Sequence, residues 1–134
     1  MVPELLVSDL DASLHFYCDL TGFSVAYARP DEGFAYLDCG GAQIMLEQAS
    51  APGRHWITGP LERPFGRGVN FQISVEDADT LADKFLAAGW PIFLPLETKI
   101  YRTVERSVTQ RQFAEQDPDG YLLRFSQALV DAPD

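Results

Sequence analysis

VSDLDASLHFYCDLTGF, residues 7–23, decides the fold, because the chain writes this stretch twice. The second version, VEDADTLADKFLAAGW, occupies residues 75–90. Val7, Asp9 and Asp11 match Val75, Asp77 and Asp79 at an offset of 68, and Gly22 matches Gly89 at 67. Each copy runs from an apolar strand end through an Asp-rich cap into a short amphipathic helix and stops at a glycine. A further echo follows: Asp38-Cys39-Gly40-Gly41 with AQIMLEQ resembles Asp117-Pro118-Asp119-Gly120 with YLLRFSQ, at an offset of 79. A repeat of this length, holding both strand and helix, reads as two related halves of one domain. The growing offset places about twelve extra residues in the second copy, within 97–110.

Working outward, a strand over 4–7 leads to Ser8, which can cap the next helix with Asp11 three positions on. Leu10, Leu14, Tyr17 and Cys18 fall at helical spacing on one face. Strands follow over 23–28, 34–38 and 42–48, with a turn at Arg29-Pro30-Asp31-Glu32-Gly33. Residues 49–66, rich in proline and small side chains, form a long connection carrying Trp56. The second half repeats the order: a strand over 69–75, a helix over 77–88 with Leu81, Phe85 and Leu86 as its apolar face, and a strand over 91–96. A polar loop is expected over 97–109, and then a hairpin around Asp117-Pro118-Asp119-Gly120. Residues 128–134 read as a frayed tail.

The expected fold is therefore α+β. Two βαβββ modules (1–49 and 68–127), joined by the connection 50–67 in a single domain, form a cleft of mixed, curved β-sheet.

Composition sets the outer limits. The 134 residues are 46% apolar, enough for one buried core, and no stretch approaches the ~18 apolar residues of a membrane span. The start MVPELLVSDL has neither a basic segment nor a long apolar one, so no export signal is read. Cys18 and Cys39 lack C-x-x-C spacing and are expected as half-buried thiols of a cytoplasmic protein. Twenty acidic against ten basic residues give a formal charge of −10. That balance disfavours nucleic acid and a membrane surface as partners and favours a cationic ligand, although an acidic surface also simply confers solubility.

The V-x-D-L-x-x-S-L-x-F-Y-x-x-x-x-G-F run at 7–23, with D-P-D-G-Y at 117–121, resembles the vicinal oxygen chelate superfamily. This group includes glyoxalase I, extradiol dioxygenases, fosfomycin-resistance enzymes and bleomycin-resistance proteins. The resemblance covers nearly the whole chain, and its motifs are more specific for fold than for function. Metal-bearing members carry one ligand on each of up to four strands. By register those positions are Val2, Met45, Asn70 and Arg124, a set that the resemblance implies holds no divalent cation: valine has no donor, a thioether is soft, and arginine adds fixed positive charge. His15 is expected on a helix and His55 in a loop.

A metal-free cleft without a cofactor most resembles the bleomycin-resistance branch, which sequesters antibiotic without chemistry. Val2-Pro3 before the first strand, Phe34-Ala35, and R-x-F-A-x-x-D-P at 111–118 agree with it. That resemblance implies a homodimer with an exchanged N-terminal strand. The alternative is a lyase or isomerase, glyoxalase- or dioxygenase-like, with a divergent active site and Glu4 or Glu47 as general base.

Eight residues are expected to contact a small-molecule ligand. Phe34 and Tyr36 share a strand face and could stack on a flat heteroaromatic group or belong to the core. Trp56 could close over a ligand or pin its loop. Asn70 and Gln72 present amides from one strand face. Arg124, if inward, needs a carboxylate, for which Glu4 and Glu47 are the candidates, or else orients an anionic or carbonyl group of a ligand. No catalytic triad, phosphate loop or dinucleotide fingerprint appears.

Overall fold

A computed structural model describes residues 1–129. The chain forms two compact units: Met1–Arg67 with Asp117–Tyr121, and Gly68–Gln116 with the chain from Leu122 onward.

In the first unit the order is β1 (Glu4–Val7), α1 (Leu10–Leu14), β2 (Ser24–Arg29), β3 (Phe34–Cys39) and β4 (Ala42–Gln48). The strands make one sheet in the order β1-β4-β3-β2, with β1 and β4 parallel and the other pairs antiparallel. The second unit comprises β5 (Asn70–Ser74), α2 (Ala78–Ala87), β6 (Leu94–Arg102), β7 (Ser107–Gln116) and β8 (Leu122–Ala128). Its sheet has the corresponding order β5-β8-β7-β6. The fold is α+β, two βαβββ modules of mixed sheet. The repeat is kept to the residue: Glu4 pairs with Met45 in the first sheet, and Gln72 with Arg124 in the second. Those pairs are related by the same offsets of 68 and 79 that relate the sequence motifs.

Local chemistry explains the elements and corrects several expectations. The first helix is capped by Asp9, whose carboxylate accepts from the Asp11 and Ala12 amides. Ser8, expected as the cap, is instead bonded through its amide and hydroxyl to Asp119. After five α-helical residues α1 continues as a π-helical turn over His15–Leu20, with the Thr21 amide reaching back to the Phe16 carbonyl. The wider turn changes the phase of the apolar stripe, so Phe16, Tyr17 and Leu20 are buried and Cys18 is only half-buried. Gly22 then takes φ +88°, the expected left-handed stop.

In α2 the Asp77 carboxylate caps the Thr80 amide, and that bond holds the carboxyl below its usual range. Leu81 and Phe85 are buried as expected, whereas Leu86 is 57% exposed. The polar stretch expected as a loop over 97–109 is mostly strand. β6 runs on to Arg102 and β7 begins at Ser107, so the extra residues of the second copy lengthen this hairpin. Of the expected tail, Ala128 ends β8, and residues 130–134 lie outside the described residues.

Core packing is aromatic in both units. In the first, Tyr17 packs edge-on against Phe16 and Phe23. In the second, Phe85, Phe113 and Phe125 form a cluster with centroids 5.1 to 5.9 Å apart. Among the described residues no helix is long and apolar enough to cross a membrane.

Candidate functional site

The first sheet has one face against α1 and one that the helix leaves uncovered. Leu5, Val7, Ile44 and Leu46 are buried. The alternate positions, set by the period of two, bring Glu4, Met45, Glu47, Phe34 and Tyr36 together through the pairs Glu4–Met45, Tyr36–Met45 and Phe34–Glu47. Next to them β2 contributes Tyr27 opposite Tyr36 and Arg29 opposite Phe34.

The result is an aromatic row. The Tyr27 and Tyr36 rings stack at 5.1 Å with 16° between planes, and Tyr27 lies 5.9 Å from Phe34. The Arg29 guanidinium sits 4.0 Å over the Phe34 ring and is itself paired with Glu32. Tyr36 is half-buried, and its hydroxyl donates to Gln43. Tyr27 is 50% exposed. Phe34, with 5% exposure, is a floor under Arg29 and not a free stacking surface. Of the two expected aromatics, Tyr36 retains an accessible ring; Tyr27 and Arg29 are additions that the period-two pairing of β2 with β3 supplies.

Beside this row lies an acidic cluster. Glu4 and Glu47 share a side-chain hydrogen bond, and burial, together with that bond and the neighbouring charge, raises the Glu4 carboxyl. His55, brought in by the long connection, places Nδ1 3.4 Å from Glu47 Oε1 while its Nε2 lies 2.7 Å from the Ala51 carbonyl. The bond to Ala51 is the main cause raising the imidazole, followed against desolvation by Glu47. His55 thus belongs to the site, a role that its loop position in the sequence does not announce.

The connection also closes a pocket of about 420 Å³ over β1, lined by Glu4, Leu6, Tyr121 and the segment from Trp56 to Leu61. Trp56 is 68% exposed, with Arg54 4.0 Å over its ring. The far end of the connection is fixed to the turn at 117–121. Arg63 pairs with the buried Asp119 at 3.1 Å, and the Phe65 amide donates to the Asp119 carbonyl. Asp117 accepts from the Tyr17 hydroxyl at 2.7 Å and from the Asp119 and Tyr121 amides. Gly120 at φ +99° lies so near Pro64 that a Cβ would meet it at 2.5 Å. The Tyr121 hydroxyl donates to the Leu6 carbonyl, tying the turn to β1.

In the second unit the uncovered sheet face is amide-rich. Arg124 donates through Nε to Asn70 Oδ1 and through Nη2 to Gln72 Oε1, both at 2.8 Å. Within the second unit the acceptors of Arg124 are therefore two amide oxygens, while in the first Glu4 and Glu47 bond to each other. Gln72 stands directly opposite Arg124 in the register, so its amide oxygen is the nearer acceptor. Farther along, Gln112 is 4% exposed and donates to Glu97 at 2.9 Å and to the Tyr101 hydroxyl at 2.8 Å.

The four positions at which metal-bearing relatives would place ligands do not fit a divalent cation. Val2 offers no donor, Met45 offers a thioether, and Arg124 places a guanidinium bonded to Asn70, the other candidate. Among the described residues no group of three or more His, Cys, Asp or Glu side chains is placed to hold a metal ion. Burial raises the Cys18 and Cys39 thiols, which keeps both protonated.

Comparison with known proteins places this geometry. Residues 2–125 match the family model of the Glyoxalase/Bleomycin resistance protein/Dioxygenase superfamily. Bleomycin resistance proteins from Geobacillus stearothermophilus and Staphylococcus aureus are 30% identical over 136 residues, covering 96% of each chain. The crystal structure of TioX from Micromonospora sp. ML1 superposes with a TM-score of 0.74 at 26% identity, covering 96% of this chain and 98% of that one. Lactoylglutathione lyase from Agrobacterium tumefaciens shares the fold, with a TM-score of 0.57 at 22% identity, covering 95% of this chain and 91% of that one. The chain belongs to the glyoxalase/bleomycin resistance protein/dioxygenase superfamily.

Proposed function

We propose that this protein sequesters a flat, cationic small molecule of the bleomycin type without transforming it. The observation that carries the proposal is an aromatic row beside a paired-carboxyl cluster on one uncovered sheet face. Tyr36 and Tyr27 offer ring faces to a planar heteroaromatic group, and Glu4 and Glu47 offer acceptors to an ammonium or guanidinium. Trp56 stands at the rim of the adjoining pocket, where its ring can close on a guest. The net charge of −10 favours the encounter with a cation. The bleomycin resistance proteins that match over 96% of the chain support this choice of ligand class. Asn70, Gln72 and Arg124 are proposed as a polar, hydrogen-bonding ligand surface of the second unit, and the working form as a cytoplasmic homodimer, whose subunit number sedimentation at micromolar concentration tests.

Calorimetric titration with metal-free bleomycin tests the binding. The expected result is saturable heat with a change in tryptophan fluorescence, weakened by Glu47→Gln and by added salt. Absence of both signals at micromolar drug sinks the ligand.

A second reading rests on one contact, the 3.4 Å approach of His55 Nδ1 to Glu47. An imidazole beside a carboxylate is a proton-transfer pair, suited to a lyase or isomerase. Turnover of a carbonyl substrate that disappears in Glu47→Gln while binding persists would favour it.

A further inference from the structure

The second unit contains a pocket on the helix side of its sheet, apart from the aromatic and acidic face of the first. Its volume is about 250 Å³, and its walls include Leu86 from α2, Ile92, Leu94 and Leu96 from the approach to β6 and β6 itself, and Phe113 and Glu115 from β7. About eight waters would fill that space at about 30 Å³ each, which corresponds to a guest of similar heavy-atom count.

Glu115 is the unexpected member. Period two on β7 puts it on the same face as Phe113, and it is only 2% exposed. It accepts from the Phe93 amide, but Oε2 has no hydrogen-bond partner. A carboxyl oxygen withdrawn from water without a donor is costly, and a guest that donates to it recovers that cost. The other charged side chain lining the pocket is Asp83 of α2, also acidic; β6 contributes Leu94, Pro95 and Leu96 and no charge. Leu86, Ile92 and Phe93 around it are 57%, 51% and 56% exposed, so the apolar wall is open to a guest.

We infer that this pocket is a second ligand site, which takes a small organic ammonium ion carried on an apolar stem: the stem lies against Leu86, Leu94 and Phe113 and the ammonium donates to Glu115 Oε2. This site is independent of the sequestration proposed above, since its lining shares no residue with the surfaces proposed there. Neutral alcohols of the same length lack the charge, and carboxylates are repelled by Glu115 and Asp83 together.

The test is an amide-resolved NMR titration of the full chain at about pH 8 with n-pentylammonium, 1-pentanol and pentanoate as separate probes. Saturable movement of the Phe93 and Glu115 amides by the ammonium ion is expected, with the alcohol and the acid weaker by at least about tenfold, or about 1.4 kcal/mol. Glu115→Gln weakens the ammonium ion by a similar factor. Leu86→Trp, at an exposed position that tolerates a large ring, fills the mouth and abolishes binding, so it decides the matter if Glu115→Gln folds poorly. Lowering the pH to about 5 protonates Glu115 and weakens binding. Equal affinity for pentanol, unchanged affinity in both variants, or shifts confined to residues of the first unit overturns the inference.

Discussion

Replacing Glu115 with glutamine should change how stability depends on pH, and the size of the change follows from the site. Burial pushes the Glu115 carboxyl from 4.5 up to about 7, opposed only in part by the Phe93 amide. The folded protein therefore keeps this proton until about pH 7, while the unfolded chain releases it near 4.5. Between those values the folded state binds more protons, so the carboxyl removes stability as pH rises, and the loss is complete above about 7. At about 1.4 kcal/mol per pH unit the ceiling is about 3 kcal/mol. Glutamine has the same shape and no proton to lose, so its contribution is constant across this range. Urea unfolding of both proteins between about pH 4.5 and 8 isolates the effect, because every other titrating group cancels in the difference. With a slope of about 1–3 kcal/mol per molar, the wild-type midpoint should fall relative to the variant by roughly 1–3 M. Midpoints that move in parallel over the whole range would refute the assignment of a buried carboxyl with one oxygen unmet.

Other expectations concern the turn and the aromatic row. Asp117→Ala removes the acceptor of the Tyr17 hydroxyl and of two amides, leaving three buried donors unmet; a loss of about 3 kcal/mol or more is expected by chemical denaturation. Gly120→Ala places a Cβ 2.5 Å from Pro64 at φ +99° and should cost about 2–4 kcal/mol from strain and overpacking combined, read as a lower melting temperature. Tyr36→Ala removes one ring of the 5.1 Å stack and should weaken bleomycin by about 1 kcal/mol, measured by calorimetry, with little change in fold.

The internal repeat carried most of the architecture. Because Val7, Asp9 and Gly22 recur as Val75, Asp77 and Gly89, both helices and their stops could be placed, and the Glu4–Met45 and Gln72–Arg124 pairs follow the same offsets. Features set by long-range contacts were less legible. Ser8 and Asp9 are both good caps in isolation, and the contact of Ser8 with Asp119, far along the chain, decides between them. The stretch 97–109 reads as a loop because an exposed hairpin has no apolar face to mark its period, and strand pairing supplies what burial does not. In the candidate site, Glu4, Glu47 and Tyr36 were accessible from strand parity. His55 was not, since a loop carries no register to place it. For Arg124 charge alone pointed to a carboxylate, whereas strand pairing sets the amide of Gln72 directly opposite it as an acceptor.

The turn at Asp117–Tyr121 belongs to the compact unit made otherwise of Met1–Arg67. During synthesis the leading module therefore waits for a clasp that leaves the ribosome only after nearly the whole trailing module has been translated. A fragment ending at residue 67 would lack the acceptors for Tyr17, Ser8 and Arg63, so the leading copy cannot be cut free of the trailing one without being unfastened.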